Sequence, residues 1–346
     1  MSKDTFNEAN YEQAIIELFT QQLGYEYIYG PDIVRDYTEP LFLDRLQQSL
    51  LAINPALPAV AIQEAIDKIR QIDTGSLVQR NEVFTDYLQN GVDVSYFDGK
   101  EQHSACVRLI DYDHPLHNNF VVANQWSIEE HSVRRADIIV FINGLPLVVM
   151  ELKSPSRTET NVSEAYAQLR NYMQEIPSLF VYNAFCVMSD LVTSKAGTIT
   201  SGEDRFMEWK TVDGQTEDNH FANFHVLFCG MFEQERLIEI LRDFICFSKE
   251  EKQSAKILAG YHQFYAVRKA ITSVKEATTT NGEGGVFWHT QGSGKSYSMV
   301  FLSQKIRRKF EGSPTIVILT DREELNSQIS DTFENCNLLG AKASQF

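Results

Sequence analysis

The sequence has few cysteines, and they form no recognisable pattern. Five cysteines are spread over 346 residues, with no Cys-x-x-Cys pair and no accompanying histidine cluster. Disulfide-framed secreted domains and zinc modules need closely spaced ligands, so both classes are excluded as interpretations. We expect the cysteines to be reduced, buried thiols in a cytosolic protein.

Long apolar runs are also missing. No stretch of 18 consecutive apolar residues occurs, and residues 1–10 are polar. A transmembrane helix needs about 20 such residues, and a secretory signal needs an apolar segment near the N-terminus. We therefore expect no signal peptide and no membrane as a partner.

Positive charge is scarce for a protein that would bind nucleic acid. The chain has 31 Lys and Arg against 47 Asp and Glu, a net charge of −16. Residues 1–250 carry 19 basic against 38 acidic residues, whereas residues 251–346 carry 12 against 9. DNA affinity depends on neutralised phosphates, so tight binding by this chain alone is not expected. The candidate DNA contacts are the basic residues near one segment: Arg134, Arg135, Lys153, Arg157 and Arg170.

The rest of the composition is that of a globular protein, 43% hydrophobic and 23% charged, long enough for two domains. The polar run at 249–256 marks a boundary. We expect an α/β domain over residues 1–250, with a mixed sheet flanked by helices. A second domain begins in residues 251–346. One of the strands expected in the first domain covers Leu179–Met188.

Residues 134–153 predict a β-hairpin. Asn143-Gly144 is a turn signal because both residues tolerate positive φ. The flanking arms are almost wholly apolar, which indicates a sheet that is covered on both faces. Asp137 begins one arm, and Glu151 and Lys153 end the other with their side chains on a shared face.

The register of this hairpin gives a sharper expectation. With a two-residue turn and regular pairing, Asp137 would lie opposite Met150 and its carboxylate would point away from Glu151. The two acids meet only if the loop has three residues or a bulge intervenes. Pro146 lacks an N–H group and is the expected place for a break in the pairing.

Two carboxylates and a lysine suit phosphodiester hydrolysis. Carboxylate oxygens hold Mg²⁺, and a neighbouring lysine offsets charge in the transition state. On spacing alone, a salt bridge from Glu151 to Lys153 or Arg135 at the end of a strand is an equally good interpretation. The pattern D-x₁₃-E-x-K is short and common.

A helix over Ser163–Glu175 follows, with Ser163 as its N-cap. Gln168 and Tyr172 are four residues apart on its inward face, where polar groups need partners. The active-site acids would serve, although an ordinary buried amide and tyrosine would fit as well. In the N-terminal helix over Asn7–Leu23, Glu8 and Glu12 lie one turn apart. Either can be solvated or can point at the metal.

Residues 286–320 predict a nucleotide site. Val286–His289 and Thr315–Thr320 resemble buried strands, and a helix runs between them through Lys309. The first strand leads into Thr290 and the phosphate-loop motif Gly292-x-Gly294-Lys295-Ser296. Backbone N–H groups at a helix N-terminus cradle phosphates, while the lysine reaches the β- and γ-phosphates and the serine reaches Mg²⁺. A glycine-rich turn without a ligand is the alternative. His289 replaces the first glycine of the common pattern.

With both motifs on one chain, the sequence resembles the motor/restriction (R) subunit of type I restriction–modification enzymes. The resemblance spans nearly all of the chain. It is carried by FNEANYEQAIIELFTQQLGYEYIYG, RADIIVFINGLPLVVMELKSP, AYAQLRNY, YHQFYAV, FWHTQGSGKS and VILTDREEL. One departure from the family is Ala136, where most members have proline.

The resemblance implies a PD-(D/E)xK-type nuclease domain followed by the truncated start of a RecA-like, superfamily 2 translocase domain. It also implies a prokaryotic, cytoplasmic enzyme that uses Mg²⁺ and ATP. Its partners are double-stranded DNA and the methyltransferase and specificity subunits. The implied cleavage residues are Asp137, Glu151, Lys153, Gln168 and Tyr172. Glu8 is the preferred further metal ligand, and Gln263 is the implied adenine contact.

Full-length members of that family are far longer, so the chain is expected to be an N-terminal fragment that binds ATP without hydrolysing it. A helicase–nuclease of DNA repair or recombination is the alternative enzyme. A non-catalytic nucleotide-binding interaction module is the alternative from another class. In that module, the acids form only salt bridges.

Overall fold

A computed structural model describes residues 8–153, 162–190, 192–217, 224–250 and 253–338. The chain divides into two compact units, Met1–Arg242 and Asp243–Phe346. No helix in the described ranges is both long and apolar enough to cross a membrane. Cys186, Cys246 and Cys336 are buried as expected. Cys106 is exposed, because it lies on the outer face of a two-stranded hairpin.

The first unit is built on a mixed sheet. Its strands are β1 (Glu26–Tyr29), β2 (Val92–Phe97), β3 (Gln102–Val107), β4 (Phe120–Glu129), β5 (Val133–Ile142), β6 (Leu145–Leu152), β7 (Phe185–Ser189), β8 (Ser194–Gly197) and β9 (Met207–Glu208). Seven of them form one sheet in the order β1-β4-β5-β6-β7-β8-β9, and β2 pairs with β3 separately. The pairs β1–β4 and β6–β7 are parallel, and the others are antiparallel.

Helices accompany the sheet. They are α1 (Glu8–Gln21), α2 (Leu43–Ile53), α3 (Ala59–Arg70), α4 (Leu77–Asn90), α5 (Val162–Glu175), α6 (Pro177–Val181), α7 (Phe224–Phe232) and α8 (Gln234–Asp243). The strand predicted over Leu179–Met188 is wrong in its first half. Pro177 supplies the fixed φ that suits the first turn of a helix, so α6 forms there and β7 starts only at Phe185.

The hairpin β5–β6 is the centre of this core. Every residue of β6 is buried, as the sequence predicts for a sheet covered on both faces. On one face, Trp126 and Phe141 pack with their rings 4.8 Å apart, and Phe42 packs against both. Burying such aromatic rings contributes about 2–3 kcal/mol each, so the hairpin has a rigid setting.

The second unit contains β10 (Ile245–Glu250), β11 (Gln253–Leu258), α9 (Tyr261–Ala277), α10 (Lys295–Lys309) and α11 (Glu323–Asn335). The strands predicted over Val286–His289 and Thr315–Thr320 do not form. A strand needs a hydrogen-bonded neighbour, and no described residue pairs with either segment. Their apolar side chains remain exposed, with Val286 at 95% and Leu319 at 92%.

Candidate active site

A bulge in the hairpin brings the two acids together. The turn has two residues, because Ile142 pairs with Leu145 and Phe141 with Pro146. The register then shifts between Val140 and Phe141, so that Val140 pairs with Val148 and Ile138 with Met150. Continued by one residue, this register sets Asp137 opposite Glu151. The predicted irregularity is confirmed, and it lies beside Pro146.

The bulge is held in place by its neighbours. Leu147 is the extra residue of β6, and its carbonyl accepts hydrogen bonds from the Ala184 backbone N–H (2.7 Å) and the Asn183 side chain (3.4 Å). These donors come from the segment before β7, so the carbonyl of the bulged residue is satisfied on the β7 side of β6.

Three side chains converge at the end of the β5–β6 pairing that lies away from the turn, beside the middle of β5 and the end of β6. Glu151 is fully buried, and its Oε1 lies 2.6 Å from Lys153 Nζ. Asp137 is half-buried, and its Oδ2 accepts the Leu152 backbone N–H at 2.8 Å. The salt bridge from Glu151 to Lys153, offered as the alternative to a catalytic site, is therefore present. It lies within the cluster and does not stand apart from it.

Helix α5 adds two polar groups to the cluster. Gln168 Oε1 accepts from Lys153 Nζ at 3.1 Å, and Gln168 Nε2 donates to the Tyr172 hydroxyl at 2.6 Å. That hydroxyl in turn donates to the Arg135 carbonyl of β5 at 3.1 Å. A chain of hydrogen bonds therefore runs from the lysine through α5 back to the hairpin, and it fixes the direction of the ammonium group.

Burial controls the charges of both acids. Burial, followed by repulsion from Asp137, raises the pKa of Glu151 to about 9. Burial also raises the pKa of Asp137 to about 6, against the lowering effect of the Leu152 N–H and Lys153. Among the described residues, Glu151 Oε2 has no hydrogen-bond partner although it is buried. Two crowded carboxylates with an unused oxygen fit a hard divalent cation such as Mg²⁺.

The two glutamates of α1 have different surroundings. Glu12 is bound on both oxygens, by Asn124 Nδ2 at 2.5 Å and by Gln125 Nε2 at 2.8 Å. Both glutamates raise the pKa of Asp137 through repulsion, but Glu8 lines the same cavity as Asp137. Of the two, Glu8 is therefore the one placed to supply a further carboxylate.

An open cavity of about 660 Å³ leads to the cluster. Its lining is mostly polar: Glu8, Gln125, Ser127, Val133, Arg134, Arg135, Asp137, Gln168, Asn171 and Tyr172. Sequence reasoning missed Gln125 and Asn171. Gln125 has a positive φ of 54° within β4, which no local sequence signal indicates. Asn171 lies two residues after Leu169 on the exposed face of α5, where no pattern in the sequence marks a functional residue.

The predicted basic patch does not assemble as one surface. Arg134 forms a bidentate ion pair with Glu175, and Lys153 points inward to the cluster. Arg170 donates to the Ile199 carbonyl at 2.8 Å. Arg157 lies outside the described residues. Arg134 and Arg135 are both exposed and both line the cavity, but Arg134 is paired with Glu175.

In the second unit, the phosphate loop precedes α10 as predicted. Gly292 and Gly294 both have positive φ, at 80° and 74°, and Lys295 is the first helical residue, followed by Ser296. Lys295 Nζ donates to the carbonyls of His289 (3.1 Å) and Thr290 (2.8 Å). The ammonium group now bonds to carbonyls of its own loop, and a rotation of the side chain would let it bond to a phosphate held by that loop.

Gln263 lies beneath this loop. Its Oε1 accepts the Gly260 backbone N–H at 2.9 Å, and its Nε2 donates to the Gly294 carbonyl at 2.9 Å. A Cβ atom on Gly294 would lie 2.8 Å from that amide nitrogen, and the positive φ of 74° favours glycine there. The structure thus ties Gln263 to the loop backbone.

Comparison with known proteins agrees with this arrangement. The family model described as "Type I restriction enzyme R protein N terminus" matches residues 5–205, and the "SWI2/SNF2 ATPase" model matches residues 262–345. The chain is 37% identical to the type I restriction enzyme HindI endonuclease subunit of Haemophilus influenzae. That match covers 95% of this chain and 33% of the relative.

Two further relatives have the same description. A subunit of Methanocaldococcus jannaschii, named provisionally as the MjaIXP type I restriction enzyme endonuclease subunit, is 32% identical over 91% of this chain and 33% of its own length. The SauCOLORF180P endonuclease subunit of Staphylococcus aureus is 30% identical over 62% of this chain and 22% of its own length. The chain spans about a third of the length of the first two relatives.

Proposed function

Because this chain belongs to the type I restriction enzyme R protein family, we propose that it carries the endonuclease site and the start of the motor of such an enzyme. The proposed activity is Mg²⁺-dependent cleavage of double-stranded DNA, coupled to ATP-driven translocation in the complete complex. The curated relatives, named as endonuclease subunits, support this assignment.

The convergence of Asp137, Glu151 and Lys153 at the end of one hairpin carries the proposal. The arrangement needs the bulge at Leu147, which a hairpin built only for packing does not need. It also needs the polar bonds from α5 to the lysine. Together these features support a PD-(D/E)xK-type nuclease domain.

The residues would divide the work as follows. Asp137 and Glu151, with Glu8, would hold Mg²⁺, which when bound supplies a polarised phosphate and an acidified attacking water. Lys153 Nζ, held between Glu151 Oε1 and Gln168 Oε1, offsets negative charge that develops on the phosphate. Tyr172 keeps Gln168 oriented and thereby fixes the lysine.

The loop of the second unit would bind ATP. Thr290, Gly292, Gly294, Lys295 and Ser296 would surround the phosphates, and the helix N-terminus at Lys295 favours negative charge. The match to an ATPase family over residues 262–345 supports a RecA-like domain of the translocase type. We propose that the loop binds the phosphates of ATP, whose hydrolysis also needs an acidic Mg²⁺ motif and an arginine.

The charge of the chain supports an assembly with partners. With a net charge of −19 over residues 1–250 and only two arginines in the cavity lining, one of them paired with Glu175, the nuclease unit holds DNA weakly by itself. We propose that methyltransferase and specificity subunits deliver the DNA, in the cytoplasm of a prokaryotic cell.

The test uses the complete restriction complex assembled with Asp137→Ala or Lys153→Ala. Both variants should lose DNA cleavage while the unmethylated target still stimulates ATP hydrolysis. Asp204→Ala, which removes an exposed carboxylate, is the control and should cut normally. Cleavage that survives in both site variants would make the nuclease assignment wrong. Loss of cleavage without any dependence on a methylation state would point to a repair helicase–nuclease.

A further inference from the structure

The segment that joins β3 to β4 folds into a tight loop with a cluster of metal-ligating side chains. Asp111, His114 and His117 are spaced three residues apart, and a 3₁₀ turn over Pro115–His117 brings both histidines to the same side. The expectation that the chain has no histidine cluster is therefore wrong. The spacing D-x-x-H-x-x-H was the available signal.

The ligand atoms are already close to metal-binding distances. Asp111 Oδ2 lies 3.3 Å from His117 Nδ1 and 3.6 Å from His114 Nδ1. Three such atoms, one from each residue, lie within 4.8 Å of one another. In a tetrahedral zinc site with bonds of about 2.0–2.1 Å, ligand atoms are separated by about 3.4 Å. Small rotations of the two exposed imidazoles would complete that geometry.

The carboxylate is built into the loop. Asp111 is 8% exposed, and its Oδ1 accepts the backbone N–H groups of Asp113 (3.1 Å) and His114 (2.9 Å). Those bonds leave Oδ2 facing the two imidazoles. Because its orientation is set by the backbone, no side-chain entropy is lost when Asp111 takes up an ion.

Both imidazoles approach the same carboxylate oxygen, and they form ion pairs with it only when they are protonated. The two rings are stacked, with centroids 4.9 Å apart and planes at 18°, and both direct Nδ1 towards one oxygen. Within the described ranges, neither imidazole is aligned for a hydrogen bond to that oxygen, and no lysine or arginine pairs with Asp111. Arg108 binds Asp113 instead, at 2.8 Å.

We propose that Asp111, His114 and His117 form a structural site for a late first-row divalent transition metal ion, with Zn²⁺ as the physiological candidate. Two imidazole nitrogens and one carboxylate favour such ions over Mg²⁺, which prefers oxygen ligands. The histidines are about two-thirds exposed, so water supplies the remaining ligand.

The position of the site gives it a role in the fold. Asn118 Oδ1 accepts the Asp111 backbone N–H at 2.8 Å and the Asn143 side-chain amide at 2.7 Å. Asn143 is the turn residue of the hairpin β5–β6, at the end opposite to Asp137 and Glu151. An ion at this loop would therefore brace the turn whose register the candidate active site depends on.

The test is Zn²⁺ titration of the 346-residue chain by calorimetry, in excess Mg²⁺ so that the carboxylate site is occupied, with a reductant that does not bind metal. His117→Ala and Asp111→Asn should each bind one equivalent of Zn²⁺ fewer than the parent. Asparagine keeps the Oδ1 acceptor, so the loop retains its turn. His103→Ala is the matched control, because His103 also lies beside carboxylates, at 3.0 Å from Asp98 and 3.8 Å from Glu101.

A second readout is thermal stability. At a hundredfold excess over the dissociation constant, Zn²⁺ should raise the melting temperature of the first unit by about 5–10 °C in the parent and in His103→Ala. The two site variants should show no such shift. Equal stoichiometry and equal melting shifts in the parent and both site variants would overturn the proposal. An equal loss in His103→Ala would do the same.

Discussion

At the scale of single residues, the decisive group is Glu151. Its carboxyl is fully buried, one oxygen is bound by Lys153, and the other has no hydrogen-bond partner among the described residues. A buried carboxylate is costly unless it is protonated, paired or bound to metal. The metal-free chain therefore carries a destabilising group at this position, as sites built for ligands commonly do.

Replacing Glu151 with Gln should stabilise the metal-free chain, increasingly as pH rises. The folded carboxyl has its pKa raised to about 9, so the folded state holds this proton after the unfolded chain has released it. The stability of the parent therefore falls as pH rises from about 4 to about 9. The advantage of Glu151→Gln should be larger at about pH 8 than at about pH 5, by on the order of 2–4 kcal/mol.

Urea unfolding in a chelator measures this difference. The exposed Glu164→Gln on α5 is the control and should leave the pH dependence unchanged. Adding Mg²⁺ should stabilise the parent and leave Glu151→Gln unaffected. Parallel pH profiles for the parent and Glu151→Gln would contradict the raised pKa.

Tyr172→Phe should slow DNA cleavage without weakening DNA binding. The hydroxyl accepts from Gln168 and donates to the Arg135 carbonyl, so its loss frees the amide that holds Lys153. We expect cleavage by the complete complex to fall roughly 10–100-fold in kcat with KM unchanged. The loss in stability should be about 1 kcal/mol. Single-turnover cleavage measures the first effect, and urea unfolding measures the second.

Tyr166→Phe on the same helix is the matched control. Its hydroxyl donates to the Ser201 carbonyl at 3.3 Å and takes no part in the cluster. It should lose a similar amount of stability and keep its cleavage rate. Equal rates in both variants would remove the positioning role of Tyr172.

The sequence was informative at this scale where chemistry restricts the choice of residues. Asp137, Glu151 and Lys153 have a spacing that suits a metal and a phosphate, and α5 places Gln168 and Tyr172 on its inward face as the helical period requires. Gln125 and the orphan oxygen of Glu151 were not predictable. Both depend on distances between strands that no local pattern encodes.

At the scale of elements, the register of β5–β6 shows how a functional requirement predicts structure. The turn residues alone favour a regular two-residue hairpin, which would separate the acids. Requiring the acids to meet predicted a bulge near Pro146, and the register shifts there. The strands predicted at Val286–His289 and Thr315–Thr320 failed for the opposite reason. The apolar residues of these two segments favour a strand, but a strand forms only when an adjacent strand supplies hydrogen bonds.

Asn143→Ala should destabilise the first unit by about 2–4 kcal/mol. The side chain is fully buried with φ at 52°, and its amide donates to Leu109 and Asn118 while its oxygen accepts from the Asn119 N–H. Alanine loses these bonds and is strained at positive φ. Asn143→Gly also loses these bonds, but glycine adopts a positive φ without strain. This variant should therefore be destabilised by about 1 kcal/mol less than Asn143→Ala. Chemical denaturation ranks them, and the reverse order would show that φ does not matter here.

At the scale of the whole molecule, the negative charge of the first unit disfavours DNA binding at the candidate active site. The proposed nuclease site lies in a strongly acidic unit, where basic residues such as Arg134 and Arg170 bond to groups of the same unit. We expect such a unit to gain little from counterion release on DNA and to depend on delivery of its substrate. The excess of acidic residues in the first unit could be read from the sequence. Which arginines stay exposed could not, because pairing partners such as Glu175 are distant in sequence.

DNA cleavage should depend on the proposed ATP site, whereas Mg²⁺ binding at the proposed nuclease site should not. In the complete complex, Lys295→Ala removes the ammonium that we propose binds the phosphates, so ATP binding, translocation and cleavage should all be lost. Mg²⁺ binding at Asp137 and Glu151 should remain, because those ligands belong to the first unit. Lys309→Ala, at the exposed end of the same helix, is the control and should retain all three activities. Calorimetric Mg²⁺ titration, an ATPase assay and plasmid cleavage distinguish these outcomes. If Lys295→Ala cuts DNA at the parental rate, cleavage does not depend on the motor, and the coupling of the two sites is wrong even if each site is assigned correctly.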